Sequence, residues 1–209
     1  MTPRIVVTGT DTDIGKTVFS AGLAGFLQAS YWKPVQAGLD GGTDSSRVAA
    51  LSGLPPQRIL PERFRLNTPA SPHLAAQIDG VRIELDALDV PQIAGSLVIE
   101  GAGGLMVPLN SDTLYIDVFA RWNLPVVLCA RTALGTINHA LLSVEALRRR
   151  GIPICGIAFI GDDHRDSEDI ICAIGQVRRL GRLPRLDPLD RHTLQAAFKT
   201  SFNREDFTS

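Results

Sequence analysis

No run in this 209-residue chain approaches eighteen uninterrupted apolar residues, so nothing in it reads as a membrane span. Cysteine is scarce: Cys129, Cys155 and Cys172 stand in apolar stretches without CxxC spacing. That excludes a disulfide framework or cysteine metal cluster and suits small core residues in a reducing cytoplasm. Neither sign of charge dominates, with 21 Lys+Arg against 22 Asp+Glu and a net charge of -1. A general pull toward nucleic acid or anionic membrane is thereby missing, and small molecules become the expected partners. The opening MTPRIVVTG lacks the longer apolar region and cleavage site of a signal peptide, so a cytoplasmic location is expected. Internal repeats, low-complexity blocks and linkers are also lacking. A single domain over residues 1–209 follows, with only the polar tail after Thr200 expected to be disordered.

What the chain does contain is an alternation of short, β-branched apolar runs with stretches of helical spacing. Strands are predicted at Ile5 to Thr8, Tyr31 to Pro34, Ser96 to Glu100, Pro125 to Ala130 and Ile154 to Ile160, with a weaker one near Val177 to Leu183. Helices are predicted to begin near Lys16, Asp44, Pro72, Leu114, Thr136 and Ser167, with a last one from about Pro188 to Phe198. Ser71 is a good N-cap, and Pro72 suits a first helical turn. The pattern is that of βα units around a buried parallel sheet: an α/β fold with a doubly wound, mostly parallel sheet flanked by helices. Ligands belong at the carboxyl ends of its strands.

Directly after the first strand comes GTDTDIGKT, Gly9 to Thr17, running into the helical pattern VFSAGLAGFLQ. Strand, glycine-containing turn and helix start form a phosphate-binding loop. Backbone N–H groups across Asp13, Ile14, Gly15, Lys16, Thr17 and Val18 can wrap phosphate oxygens, Lys16 can reach the β- and γ-phosphates, and the Thr17 hydroxyl can ligate Mg²⁺. The spacing is G-x5-G-K-T, one residue longer than the common P-loop pattern.

Two carboxylates and a lysine fall near other strand ends. Glu100 opens EGAGG, where it can hold Mg²⁺ while Gly101, Ala102 and Gly103 let backbone approach a nucleotide; the bland alternative is a flexible turn with an exposed acid. Asp44 starts a helix and reads equally as an N-cap or a second metal ligand. Lys33, in YWKPVQAG, would face the phosphate loop if its strand joins the sheet, where its charge would stabilise a transferring phosphoryl group.

Taken in order, GTDTDIGKT, KPVQAG, TDSSRVAAL, SPHLAA at Ser71 to Ala76, EGAGG and LGTINHALL at Leu134 to Leu142 resemble the dethiobiotin synthetases, a family with the P-loop NTPase fold. The match spans about the first two thirds of the chain. It implies a homodimer that converts 7,8-diaminopelargonate, CO2 and MgATP to dethiobiotin, ADP and phosphate, with Mg²⁺ as cofactor. Carried over by motif, Thr12, Lys16 and Lys33 contact the carbamate or the transferring phosphate, and Thr17, Asp44 and Glu100 hold Mg²⁺. Gly135, Thr136, Ile137 and Asn138 open a helix whose N–H groups suit the substrate carboxylate in the partner subunit's site. Pro184, Arg185 and Leu186 match a later segment that faces the base. There are two departures. Ile160, followed by Gly161, Asp162 and Asp163, stands where the family often has an adenine-reading Asn, so tolerance of other bases is expected. Ala37 stands where some relatives place a serine near the substrate.

Two competitors share the nucleotide-binding half. Dimer-switch ATPases of the ParA or MinD kind carry an extra lysine near the start of the loop, and Gly9-Thr10-Asp11-Thr12 has none. The C-terminal segment also lacks the strongly basic amphipathic face that lipid binding favours. The amide-forming enzymes of cobalamin synthesis append a glutaminase domain, for which this chain has no room.

Overall fold

The structure is a computed structural model that describes residues 2–208. Seven strands form one parallel sheet: β1 (Arg4–Gly9), β2 (Ser30–Trp32), β4 (Ile59–Leu60), β6 (Leu97–Gly104), β7 (Val126–Arg131), β8 (Ile154–Ile160) and β9 (Arg179–Leu183). Their order is β4-β2-β6-β1-β7-β8-β9. A two-stranded parallel ribbon, β3 (Val35–Ala37) with β5 (Phe64–Leu66), stands apart. The helices are α1 (Lys16–Leu27), α2 (Asp44–Ser52), α3 (Pro72–Ile78), α4 (Tyr115–Trp122), α5 (Thr136–Arg149), α6 (Arg165–Gly175) and α7 (Arg191–Ser201).

The central strands bury both faces, which is why they read as continuous apolar runs. On one face Ile5, Val7, Val98 and Val127 pack with Phe19, Leu23 and Phe198. On the other, Val6, Ile99 and Val126 pack with Tyr115, Ile116 and Phe119. Strand order reverses on either side of β1, so the loops after β1, β2 and β6 open at one carboxyl edge.

Three expectations need correction. The predicted strand Tyr31 to Pro34 ends at Trp32, because Pro34 has no N–H to offer the ladder; its carbonyl instead accepts from the N–H groups of Arg63 and Phe64. Lys33 is thereby delivered at the rim of the sheet. The strand through Glu100 runs on to Gly104, past its predicted end, with an irregular register against β1 and Gly103 in the left-handed region at φ 63°. The tail after Thr200 is ordered through Thr208: Phe202 and Phe207 are buried, Phe202 stacks with Phe198 at a centroid distance of 4.7 Å, and Arg204–Phe207 forms a 3-10 turn whose first N–H groups are served by Asn203. Two phenylalanines spaced five apart outweigh the polar residues between them. Smaller shifts affect α6, which begins at Arg165, and α7, which begins at Arg191 with Asp190 as its cap.

Candidate active site

Building from β1, the chain leaves the sheet at Gly9 and turns through Asp13 (φ 55°) and Gly15 (φ 97°) into α1. Glycine suits both positions, and Gly15 needs it for its backbone. A side chain at Gly9 would come within 2.4 Å of the Ile14 Cδ1, and one at Gly15 would press on Ile160 as well as strain the left-handed backbone. Lys16 is buried and lies back along the loop, donating from Nζ to the Asp11 carbonyl at 2.6 Å. Thr17 follows in the first turn of α1, where free N–H groups and the helix dipole favour an anion.

The carboxylates and Lys33 meet Thr17 from the other side. Trp32 pairs with Ile99 in the sheet, so Lys33 comes level with Glu100 on the neighbouring strand. Lys33 Nζ lies 2.7 Å from Asp44 Oδ2, 3.0 Å from Glu100 Oε1 and 3.0 Å from the Gly101 carbonyl. Thr17 Oγ1 lies 2.9 Å from both Asp44 Oδ1 and Glu100 Oε1. Glu100 is fully buried, which removes the reading of an exposed acid on a flexible turn. Asp44 is not a cap. Thr43 caps α2 through a capping box with Ser46, leaving the Asp44 carboxylate free to face Thr17 and Lys33, while its own N–H is held by Gln36 Oε1 at 3.0 Å.

The electrostatics follow from this geometry. Burial alone would lower Lys33, but the Glu100 and Asp44 charges outweigh it and hold its pKa above an ordinary lysine. Asp44 is likewise held below the usual carboxylate range: burial opposes its charge, and Lys33 more than compensates. Lys16 moves the other way, lowered by burial and then by Lys33. Two buried cations and two carboxylates therefore form a nearly neutral cluster around one threonine hydroxyl. The donor set fits Mg²⁺. Two carboxylates and a hydroxyl, all hard oxygens, converge beside a phosphate loop, and Mg²⁺ at triphosphates takes one or two carboxylates rather than an all-protein cage.

A cleft of about 820 Å³ opens over this cluster, lined among others by Thr12, Asp13, Gly15, Lys16, Thr17, Val18, Lys33, Ala37, Asp44, Glu100, Ala102 and Gly103. Of the remaining residues singled out from sequence, Ile14 is buried under the loop and Gly101 contributes its carbonyl to Lys33. Gly135, Thr136, Ile137 and Asn138 open α5 outside the cleft, with Thr136 buried and its neighbours exposed. Pro184, Arg185 and Leu186 follow β9, also outside it; Leu186 packs on the core and Arg185 approaches Asp162 at 3.7 Å. The cleft also takes in Val35, Gln36, Arg47 and the Pro69 to Pro72 turn, which single residues in the sequence did not announce. The signal for the last lay in SPHLAA, whose Ser71 Oγ bonds His73 Nδ1 instead of capping α3. His139, His164 and His192 are exposed and stand apart from the cleft.

A parallel sheet whose first strand feeds G-x5-G-K-T into a helix, with carboxylates from two other elements facing the threonine, defines a P-loop nucleotide-binding protein. The AAA domain family matches residues 3–193. Among solved structures, a ParA family ATPase from Chlorobium tepidum superposes with TM-score 0.55 over 95% of this chain and 91% of that one, at 14% identity. MinD of Aquifex aeolicus, in a complex with MinC, superposes with TM-score 0.52 over 93% and 86%, at 11% identity; both likenesses speak to the fold alone. Sequence relatives are much nearer. An ATP-dependent dethiobiotin synthetase BioD of Afipia carboxidovorans is 69% identical over the full length of both chains. Proteins of the same name from Rhodopseudomonas palustris and Bradyrhizobium diazoefficiens are 65% and 64% identical, over 98–99% of each chain. This chain belongs to the ATP-dependent dethiobiotin synthetase family.

Proposed function

We propose that the cleft over Gly9–Thr17 is where this ATP-dependent ligase closes the ureido ring of dethiobiotin from 7,8-diaminopelargonate and CO2, with release of ADP and phosphate. The observation that carries the reading is the meeting of Lys33, Thr17, Asp44 and Glu100 within hydrogen-bond distance beside Lys16. One substrate amine takes up CO2 as a carbamate. A carbamate oxygen then attacks the γ-phosphorus with loss of ADP, and the second amine attacks the resulting mixed anhydride at carbon with loss of phosphate. The protein's contribution is alignment and charge neutralisation in a dry site.

Lys16 grips the β- and γ-phosphates from within the loop, and Thr12 and Lys33 face the carbamate across the line of transfer. Thr17, Asp44 and Glu100 would hold Mg²⁺, which would supply charge neutralisation at the reacting phosphate. Val35 and Ala37 give the cleft an apolar wall suited to the alkyl chain, and Ala37 offers no hydroxyl there. The enzyme works as a homodimer of single-domain subunits in the cytoplasm, with Gly135 to Asn138 of one subunit receiving the substrate carboxylate of the other. The support for that pairing is the exposed apolar set Leu134, Ile137 and Leu142 around the start of α5.

Purified protein given diaminopelargonate, bicarbonate and MgATP should yield dethiobiotin, detected by mass, with one ADP per product. ADP release without dethiobiotin would contradict the reading.

A further inference from the structure

We propose that Tyr31 is a positioning residue for the metal site, holding the inner oxygen of Glu100 so that the outer oxygen is aimed at Thr17 and the cleft. The Tyr31 hydroxyl donates to Glu100 Oε2 at 2.9 Å, and both residues are fully buried. Glu100 Oε1, on the other side of the carboxylate, takes Thr17 and Lys33. The terminal torsion of a glutamate is broad and roughly two-fold, so a carboxylate gripped at one oxygen only would wander about its last bond. Gripped at both, it presents one fixed lone-pair direction to a cation.

The sequence arranges this economically. Tyr31 and Lys33 are two residues apart, hence on one face of an extended chain, and they reach opposite oxygens of the same carboxylate. The chain supplies its own comparison. Its only other tyrosine, Tyr115, is equally buried, but its hydroxyl has no partner among the described residues.

The inference rests on the reading that Glu100 holds Mg²⁺, and the test separates the two. Mn²⁺ serves as the probe, titrated by electron paramagnetic resonance into the full chain with a non-hydrolysable ATP analogue. Tyr31→Phe should raise the half-saturating Mn²⁺ concentration roughly tenfold, the order expected for loss of one hydrogen bond to a charged group, and raise the apparent Mg²⁺ constant for turnover by a similar factor. Tyr115→Phe should change neither by more than about twofold, and in a Glu100→Gln background Tyr31→Phe should add less than about twofold. A Tyr31→Phe protein that binds Mn²⁺ like the parent overturns the proposal, whatever its melting temperature. Should Tyr31→Phe not fold, the parent labelled with ¹³Cζ-tyrosine decides. Adding Mg²⁺ to the analogue-bound protein should shift the Tyr31 signal and leave Tyr115 in place, and an unmoved Tyr31 signal overturns the idea. Normal Mn²⁺ binding by Glu100→Gln would instead overturn the metal-site reading itself.

Discussion

The two ends of the sheet's carboxyl edge are built differently. Around Thr17 the charges are buried and shared: Lys33 serves two carboxylates, Glu100 serves three donors, and each strand or helix contributing to the cluster is pinned by the core beneath it. Beyond β8 the rim carboxylates Asp162 and Asp163 are exposed and paired locally, while Glu168 on α6 is buried beside Arg179 and Arg182. Arg182 reaches the Gly161 carbonyl at 3.0 Å and Asp163 at 3.3 Å, Arg185 approaches Asp162, and Ile160 turns an apolar side chain onto Gly15. The first arrangement is preorganised for phosphates and a cation, where low dielectric magnifies each charge. The second is built of partly or fully exposed ion pairs at the rim and the apolar Ile160 side chain.

The largest break of this contrast should come from its buried half. Lys33→Ala and Lys16→Ala should each lower the rate of dethiobiotin formation by about a thousandfold or more, as loss of a preorganised charge at a desolvated transition state does. Arg185→Ala, at an exposed pair, should change it by less than about threefold. Near-normal turnover of Lys33→Ala would remove it from the catalytic machinery. A smaller effect sharpens the other half: CTP or GTP should replace ATP with less than about a hundredfold loss of rate, about 2.7 kcal/mol. A larger loss would mean that the β8–β9 end reads the base after all.

The smallest effect is on stability. The depressed pKa of Asp44 means that its contribution is fully present above the ordinary carboxylate range and is lost as the pH falls below it. Asp44→Asn should therefore melt below the parent at neutral pH, with the gap closing in acid. The gap should be modest, because the Asp44 side chain is 31% exposed and its pair with Lys33 is partly screened. A constant gap across that range, followed by thermal melts, would show that Asp44 adds no charge-dependent stability.

How much of this was legible beforehand varied with the physics of each segment. The long strands β1, β6, β7 and β8 announced themselves because burial on both faces demands continuous apolar runs. The ribbon of β3 and β5 and the two-residue β4 did not, since three residues or fewer carry no period. The phosphate loop was legible as a local motif. From spacing alone the cluster around Thr17 was legible only as scattered acids and a lysine, which the family resemblance grouped, because what joins Lys33 to Glu100 is sheet register across 67 positions of sequence. Asp44 was undecidable from spacing, where an N-cap and a metal ligand look alike; the Thr43 capping box removes the first reading. Tyr31 gave no signal, as a buried tyrosine in a strand reads as core until its hydroxyl finds a carboxylate.

The most direct test is a crystal structure of the chain with Mg²⁺ and a non-hydrolysable ATP analogue. The γ-phosphate should lie within hydrogen-bond reach of Lys16 Nζ, with the cation on Thr17 Oγ1 flanked by Asp44 and Glu100 and with Lys33 on the open side of the transferring group. A nucleotide whose phosphates lie away from Gly9–Thr17, or a cation held without either carboxylate, would contradict the account.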